Sequence, residues 1–174
     1  AAPVLAPGAD LTGCDLRGMD LAGVDLTGAA LAGVRSGGNT GTPTALPEGW
    51  LLRSGYLIGP RSYLMRAALG SAQLSAADLT GAQLGYAGLA GADLAGAHLG
   101  TAVLRSATLE DADLVGADLG QAEVAGASLR RAKVAGANLD GLDLGSSSLG
   151  GLRSGPVSGT PATLPAGWAL YSGW

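Results

Sequence analysis

Leucine recurs at every fifth position over a long stretch of this chain. The series runs from Leu64 to Leu149, with valine only at Val124 and Val134. From Leu69 onward an alanine also stands two residues before each leucine as far as Leu119. A period of five fits neither an α-helix nor a plain strand. The pattern therefore predicts a repeat architecture, in which each unit buries its apolar side chains against its neighbours.

Each five-residue unit has a physical interpretation. In extended backbone, residues two apart share a face, so Ala77 and Leu79 are expected to point inward and Asp78 outward. The two remaining positions, such as Thr80 and Gly81, are small or polar and suit a tight turn. Each unit then forms one side of a coil, and stacked coils place leucine on leucine.

The runs AADLTGAQL, GADLAGAHL and DADLVGADL resemble the A(D/N)Lxx signature of pentapeptide-repeat proteins. The likeness covers residues 9–31 and 62–149. It implies an all-β fold, a right-handed quadrilateral parallel β-solenoid. Four sides of five residues would stack residues that are twenty apart.

Charged residues support four sides over three. Stacking by twenty sets Glu110 and Asp111 beneath Arg130 and Arg131, whereas a spacing of fifteen sets them against uncharged residues. The same spacing predicts an outward column in which His98 lies between two carboxylates. The candidate surface ladders are Asp78, His98, Asp118, Glu110, Asp111, Arg130 and Arg131.

One interruption of the repeat occurs twice. Residues 31–56 align with residues 149–174 at somewhat over half of their positions, and both contain Leu-Pro-x-Gly-Trp. The pattern predicts an N-terminal segment with a short repeat block (1–34), a first insert (35–61), the main solenoid (62–151) and a second insert or C-terminal cap (152–174).

Each Leu-Pro-x-Gly-Trp element is expected to form a turn followed by a short strand, giving β-hairpin-like or capping inserts. Two interpretations stay open. The tryptophans Trp50 and Trp168 either cover apolar ends of the solenoid, which would otherwise invite aggregation, or form a surface that binds a partner.

The amino-acid composition argues against a catalytic or metal-binding site. His98 is the only histidine and Cys14 the only cysteine, so no catalytic, cofactor or metal site is predicted. The net charge of −4 gives no reason to expect direct nucleic-acid binding. No apolar run approaches the ~20 residues that span a bilayer. Because the chain begins AAPVLAPG, a secreted or cell-surface location is expected, with a cytoplasmic one as the alternative.

These observations favour a non-enzymatic structural module, self-assembling or adhesive, of a secreted or surface-associated bacterial protein. Its expected partner is itself, through the solenoid ends, with another protein as the second kind of partner. The candidate contact residues are Trp50, Tyr56, Trp168, Tyr171, Trp174, Leu11 and Leu149.

The alternative function is DNA mimicry, since some members of the family bind DNA gyrase or topoisomerase by imitating the duplex. This chain lacks phenylalanine, and basic residues such as Arg105 and Lys133 interrupt the acidic surface that a mimic of phosphate charge needs.

Overall fold

The computed structural model describes residues 3–170 as a four-sided coil. Parallel bridges join residues twenty apart along the chain, for example Asp78 to His98 and His98 to Asp118. The only strands longer than single bridges within these residues are β1 (Leu51–Arg53) and β2 (Tyr56–Ile58), which form an antiparallel hairpin. The four-sided solenoid predicted from the sequence is confirmed, because the rise from one coil to the next takes twenty residues.

Backbone hydrogen bonds explain why five residues make one side. The Leu79 N–H donates to the His98 carbonyl of the next coil (2.8 Å), and the His98 N–H donates back to Ala77 (2.9 Å). The corner closes when the Ala82 N–H donates to Leu79 (3.0 Å). The Gly81 N–H also donates to the Gly100 carbonyl of the next coil (3.0 Å). Three bonds between coils and one bond within the turn thus satisfy most backbone N–H groups of a unit without a long strand.

The corners need a left-handed backbone at the third turn position. Gly81 takes it with φ 67°, which suits a type II turn. Many corners of the solenoid use other residues in the same conformation. They are Arg61, Arg66, Ser71, Ala76, Tyr86, Thr101, Ser106, Asp111, Gln121 and Arg131. Since a side chain there costs about 1–2 kcal/mol of local strain, stacking between coils must offset it.

The core is a narrow column of leucine and alanine. Leu94, Ala97 and Leu99 have no exposed surface, and their counterparts in neighbouring coils are buried almost as completely. The inward positions are the ones that the five-residue pattern indicated. Side chains at the intervening positions lie on the outside, so the coil has a dry interior and a polar surface.

The solenoid is divided by the hairpin. We call residues 3–45 the first block and residues 58–163 the main block. Bridges in the first block run from Asp10 with Ala30 to Asp25 with Ala45. The next bridge joins Arg35 to Tyr63, a separation of 28 residues instead of twenty, so the hairpin segment adds eight residues to one coil.

The ladder continues further than the sequence pattern indicated. The first insert was expected to leave the solenoid at residue 35, yet Arg35, Thr40 and Ala45 all bridge the coil below. The glycine- and threonine-rich stretch lacks the leucine signature but keeps the coil's backbone. In the second copy, residues 153, 158 and 163 likewise bridge the preceding coil. No helix within residues 3–170 is long and apolar enough to cross a membrane.

Candidate self-association surfaces

The first Leu-Pro-x-Gly-Trp element is packed inside the molecule. The Trp50 N–H donates to Pro47 (3.1 Å), which closes the predicted turn, and β1 comes directly after it. The Trp50 side chain is only 9% exposed. It lies so close over Gly59 that a Cβ there would stand 2.3 Å from the indole ring. In this copy the tryptophan covers apolar surface between the two blocks.

The second copy has the same turn in a different setting. The Trp168 N–H donates to Pro165 (3.0 Å), but the Trp168 side chain is 43% exposed. It lines a cavity of about 210 Å³ together with Leu149, Leu152 and Leu164. We call this the C-terminal cavity. It leaves apolar surface open at the end of the main block, where a capping segment was expected.

The N-terminal end also exposes apolar surface. The Val4 side chain is 75% exposed, the largest exposure of any large hydrophobic residue from 3 to 170, and Leu5 beside it is only half-buried. By contrast, Leu11 and Leu149 are 1% and 4% exposed. Leu11, expected to contact a partner, lies inside the core, whereas Leu149 is nearly buried but lines the C-terminal cavity.

Tyr56 is held within the molecule. Its ring packs against the main core, and its hydroxyl accepts a hydrogen bond from the Ala68 N–H (3.2 Å). The tyrosine thereby replaces a backbone partner at the point where the hairpin meets the main block. Tyr171 and Trp174, also expected to contact a partner, lie outside the described residues.

Charged side chains on the surface pair with residues twenty positions apart, in the neighbouring coil. Arg131 holds Asp111 with two hydrogen bonds of 2.9 and 2.7 Å, and Lys133 reaches Asp113 at 2.7 Å. The bond from Arg131 lowers the pKa of the Asp111 carboxyl, and that from Lys133 lowers the pKa of Asp113. Exposed pairs of this kind add little to the free energy of unfolding, so they mark the register of the coils more than they stabilise it.

Two other ladder positions differ from simple charge pairing. The Glu110 carboxylate accepts a hydrogen bond from the Ser128 hydroxyl (3.0 Å) and lies 3.7 Å from Arg131, whereas Arg130 was expected to face it. The exposed His98 bridges Asp78 below and Asp118 above through its backbone. Asp118 in turn accepts from the Asn138 amide (2.8 Å). The column is a surface ladder, and Asp78 at its lower end lines a cavity together with Trp50 and Arg61.

Residues 3–170 contain no group of three or more His, Cys, Asp or Glu side chains that could hold a metal ion. Cys14 is free and half-buried, although it stands two residues before Leu16, at the inward alanine position of a unit. It lies in the first coil of the described residues, and within residues 3–170 no coil covers it from below.

The sequence interpretation missed Val4, Leu164 and Ser154, all at the molecule's ends. Val4 stands before the first repeat, and the five-residue beat does not reach Ser154 or Leu164. An alignment of the two inserts would have found Ser154 and Leu164, and a comparison of residues 4–11 with residues 57–64 would have found Val4.

The profile of pentapeptide repeats matches residues 8–35, 82–121 and 112–151, with 8 copies, which is more than half of the chain. The chain belongs to the pentapeptide-repeat family. The right-handed quadrilateral parallel β-solenoid that the resemblance implied is thereby the fold of this protein. A comparison with curated proteins finds no match.

Solved structures of the same family are similar to this pentapeptide-repeat protein. Rfr23 from the cyanobacterium Cyanothece 51142 shares 21% identity over 87% of this chain and 91% of its own, with a TM-score of 0.46. HetL, a protein involved in heterocyst differentiation regulation from the cyanobacterium Nostoc sp. strain PCC 7120, shares 25% over 87% and 74%, with a TM-score of 0.37. Trypsin-treated QnrB1, a plasmid-mediated fluoroquinolone resistance protein, shares 15% over 88% and 90%, with a TM-score of 0.43.

Proposed function

We propose that this pentapeptide-repeat protein is a non-enzymatic structural module that associates with itself through the ends of its solenoid. The observation that carries the proposal is apolar surface at both ends. The C-terminal cavity is lined by leucines and by the half-exposed Trp168. At the other end Val4 is 75% exposed.

The flanks and the ends of the rod differ in what they offer a partner. The flanks carry charged and polar ladders, as in the Asp111 and Arg131 pair. Each end instead combines apolar side chains with backbone groups that the coil stacking leaves free. An open coil end is a template for adding another coil, since main-chain bonds and leucine packing can continue across the junction.

DNA mimicry draws less support from the surface. Arg131, Lys133 and Arg105 each hold a carboxylate on the flank of the rod, Arg105 reaching Glu123 at 2.7 Å. A mimic of the duplex needs an uninterrupted line of negative charge, and these cations interrupt it.

The test is assembly of the purified chain measured by light scattering over a wide range of protein concentration. Self-association is expected to give oligomers or filaments whose mass grows with concentration. Replacing Trp168→Ser removes apolar contact area from the C-terminal cavity and is expected to weaken assembly at least tenfold.

Tyr86→Ser is the matched control. The Tyr86 side chain is 59% exposed on the flank of the main block, away from both ends. Its loss is expected to leave assembly unchanged. A wild-type chain that stays monomeric at every concentration would overturn the proposal, as would equal assembly of the Trp168→Ser variant and the wild type.

A further inference from the structure

We propose that the contact is head to tail: the C-terminal cavity of one molecule receives Val4 of a second copy, whose Leu5 packs against the core of its own first block. The chain joins its own two blocks in this way, and the internal junction supplies the geometry. The inference rests on the self-association proposed above and adds the polarity, the residues and the partner.

The N-terminal segment has the same pattern of residue types as the segment that comes after the hairpin turn. Residues 57–64 read LIGPRSYL, and residues 4–11 read VLAPGADL. Both have two apolar residues, a small residue, proline and a left-handed corner, which is Arg61 (φ 57°) in one and Gly8 (φ 69°) in the other. Both then reach a bridging residue and a buried leucine. Val4 is thus the counterpart of Leu57, and Leu5 of Ile58.

At the internal junction Leu57 fills an apolar pocket. Its side chain has no exposed surface and belongs to the core cluster of the first block, together with Trp50. The Ser36 hydroxyl fixes its backbone, accepting from the Leu57 N–H at 2.9 Å and lying 3.4 Å from the Leu57 carbonyl. The adjacent Ile58 enters the core of the main block. One dipeptide therefore joins both blocks.

The C-terminal cavity has a matching lining, and within residues 3–170 no such dipeptide fills it. In the aligned inserts, Ser154 corresponds to Ser36, Trp168 to Trp50 and Leu164 to Leu46. All three second-copy residues line the C-terminal cavity. Ser36 and Trp50 are buried at the junction of the two blocks, whereas Ser154 and Trp168 are exposed.

Charges and backbone groups at the two ends also match. Internally, Arg35 bridges Tyr63 and lies 5.0 Å from its ring. The corresponding residues at the ends are Arg153 and Asp10, which carry opposite charges. The internal junction also has two backbone hydrogen bonds. The Gly33 N–H donates to the Arg61 carbonyl (2.8 Å), and the Tyr63 N–H donates to the Val34 carbonyl (3.1 Å).

The backbone groups that would repeat these two bonds stand at the ends of the rod. They are the N–H of Gly151 and the carbonyl of Leu152 at the tail, and the carbonyl of Gly8 and the N–H of Asp10 at the head. Within residues 3–170 none of these four groups has a backbone partner. A head-to-tail contact between unlike surfaces does not close on itself by a two-fold axis, so it extends into a linear assembly.

Two variants that block opposite ends test the polarity. Val4→Asp places a carboxylate on the head, and Ser154→Glu places one in the C-terminal cavity. Both residues are exposed in the single molecule, so folding is expected to persist and is checked by circular dichroism. Head-to-tail contact predicts that each variant alone is monomeric. An equimolar mixture should form dimers and nothing larger, because one variant keeps a working tail and the other a working head.

The remaining outcomes separate this inference from the proposed function. Dimers of Val4→Asp alone would show tail-to-tail contact, and dimers of Ser154→Glu alone head-to-head contact. Undiminished assembly of both variants would show contact through the flanks. Each of these overturns the head-to-tail inference while self-association stands. A monomeric wild type overturns both.

A charge exchange checks the register. Asp10→Lys and Arg153→Glu are each expected to weaken assembly up to about fivefold, the range of an exposed ion pair. The double variant is expected to recover, because every contact again pairs opposite charges. Equal or greater loss in the double variant would contradict the pairing of these two residues.

Discussion

The two solenoid blocks share one backbone but bury their cores by different means. In the main block, coils above and below cover Ala97 and Leu99 completely. The first block is short, and its inward positions hold Cys14, Met19 and Val24, which are half-buried. Its core is completed by Trp50 and Leu57 of the hairpin segment. In a long stack, neighbouring coils bury the core, whereas a short stack needs a segment from outside the repeat to complete the burial.

This difference accounts for the ends of the molecule. The hairpin closes the first block because another coil comes after it and holds Leu57 in place. The second copy of the insert lies after the main block, and Trp168 stays exposed beside the C-terminal cavity. The same sequence element therefore caps or remains open according to whether another coil lies beyond it.

The largest effect is expected where the first block depends on the hairpin. Trp50→Ala removes a buried indole that no stacked coil can replace, and it should cost about 3–5 kcal/mol of the free energy of unfolding. Trp168→Ala, its counterpart at the open end, should cost less than about 1 kcal/mol in the monomer. Urea unfolding followed by circular dichroism measures both.

Hydrogen exchange locates the damage from Trp50→Ala. Faster exchange is expected in residues 8–45, while the amides of residues 90–130 keep their protection, because repeat proteins lose structure locally. Similar costs for the two tryptophan variants would contradict the dependence of the first block on the hairpin.

A smaller effect is expected from exchanging the inward residues of the blocks. Ala97→Met adds volume where neighbouring coils leave no room, and overpacking of this kind costs about 1–3 kcal/mol. Met19→Ala in the first block removes a side chain that is only half-buried, and we expect a cost below about 1 kcal/mol. Thermal unfolding of the two variants compares the sites. Equal tolerance of both would show that the main core is not the tighter one.

The smallest effect is expected from acid. Hydrogen bonds from Lys133 and Arg17 lower the pKa of Asp113 and of Asp15, the latter to about 2. Because the pKa is lower in the folded state, the stabilisation is present above the unfolded pKa of about 3.9 and is lost as the pH falls through the folded pKa. The urea midpoint should therefore drop between about pH 5 and about pH 2.

The two carboxylates join different parts of the molecule, so the loss of stability in acid can be assigned to one block or the other. The Asp113 pair ties two coils of the main block together, while the Asp15 pair lies within one turn of the first block. In Lys133→Met the urea midpoint should fall less as the pH is lowered. Amide hydrogen exchange should change only in the main block. If the urea midpoint of Lys133→Met falls with pH as steeply as that of the wild type, the Asp113–Lys133 pair does not cause the loss of stability in acid.

The sequence by itself determined the repeating part of this protein. The five-residue period placed Leu94 and Leu99 inward and Asp93 and His98 outward, and the corner positions followed from the same spacing. This succeeded because a solenoid is held by contacts between neighbouring coils, so that each unit carries the information for its own conformation.

Only the tertiary structure decided the environments at the junctions. Arg35, Thr40 and Ala45 keep the coil without its leucine signature, because backbone bonds to the coil below hold them. Cys14 is half-buried because it lies in the first coil of the described residues. Trp50 is buried and Trp168 exposed, although the local sequences are alike. Burial at these positions depends on whether another coil lies beyond them, and a pattern read along the chain does not contain that information.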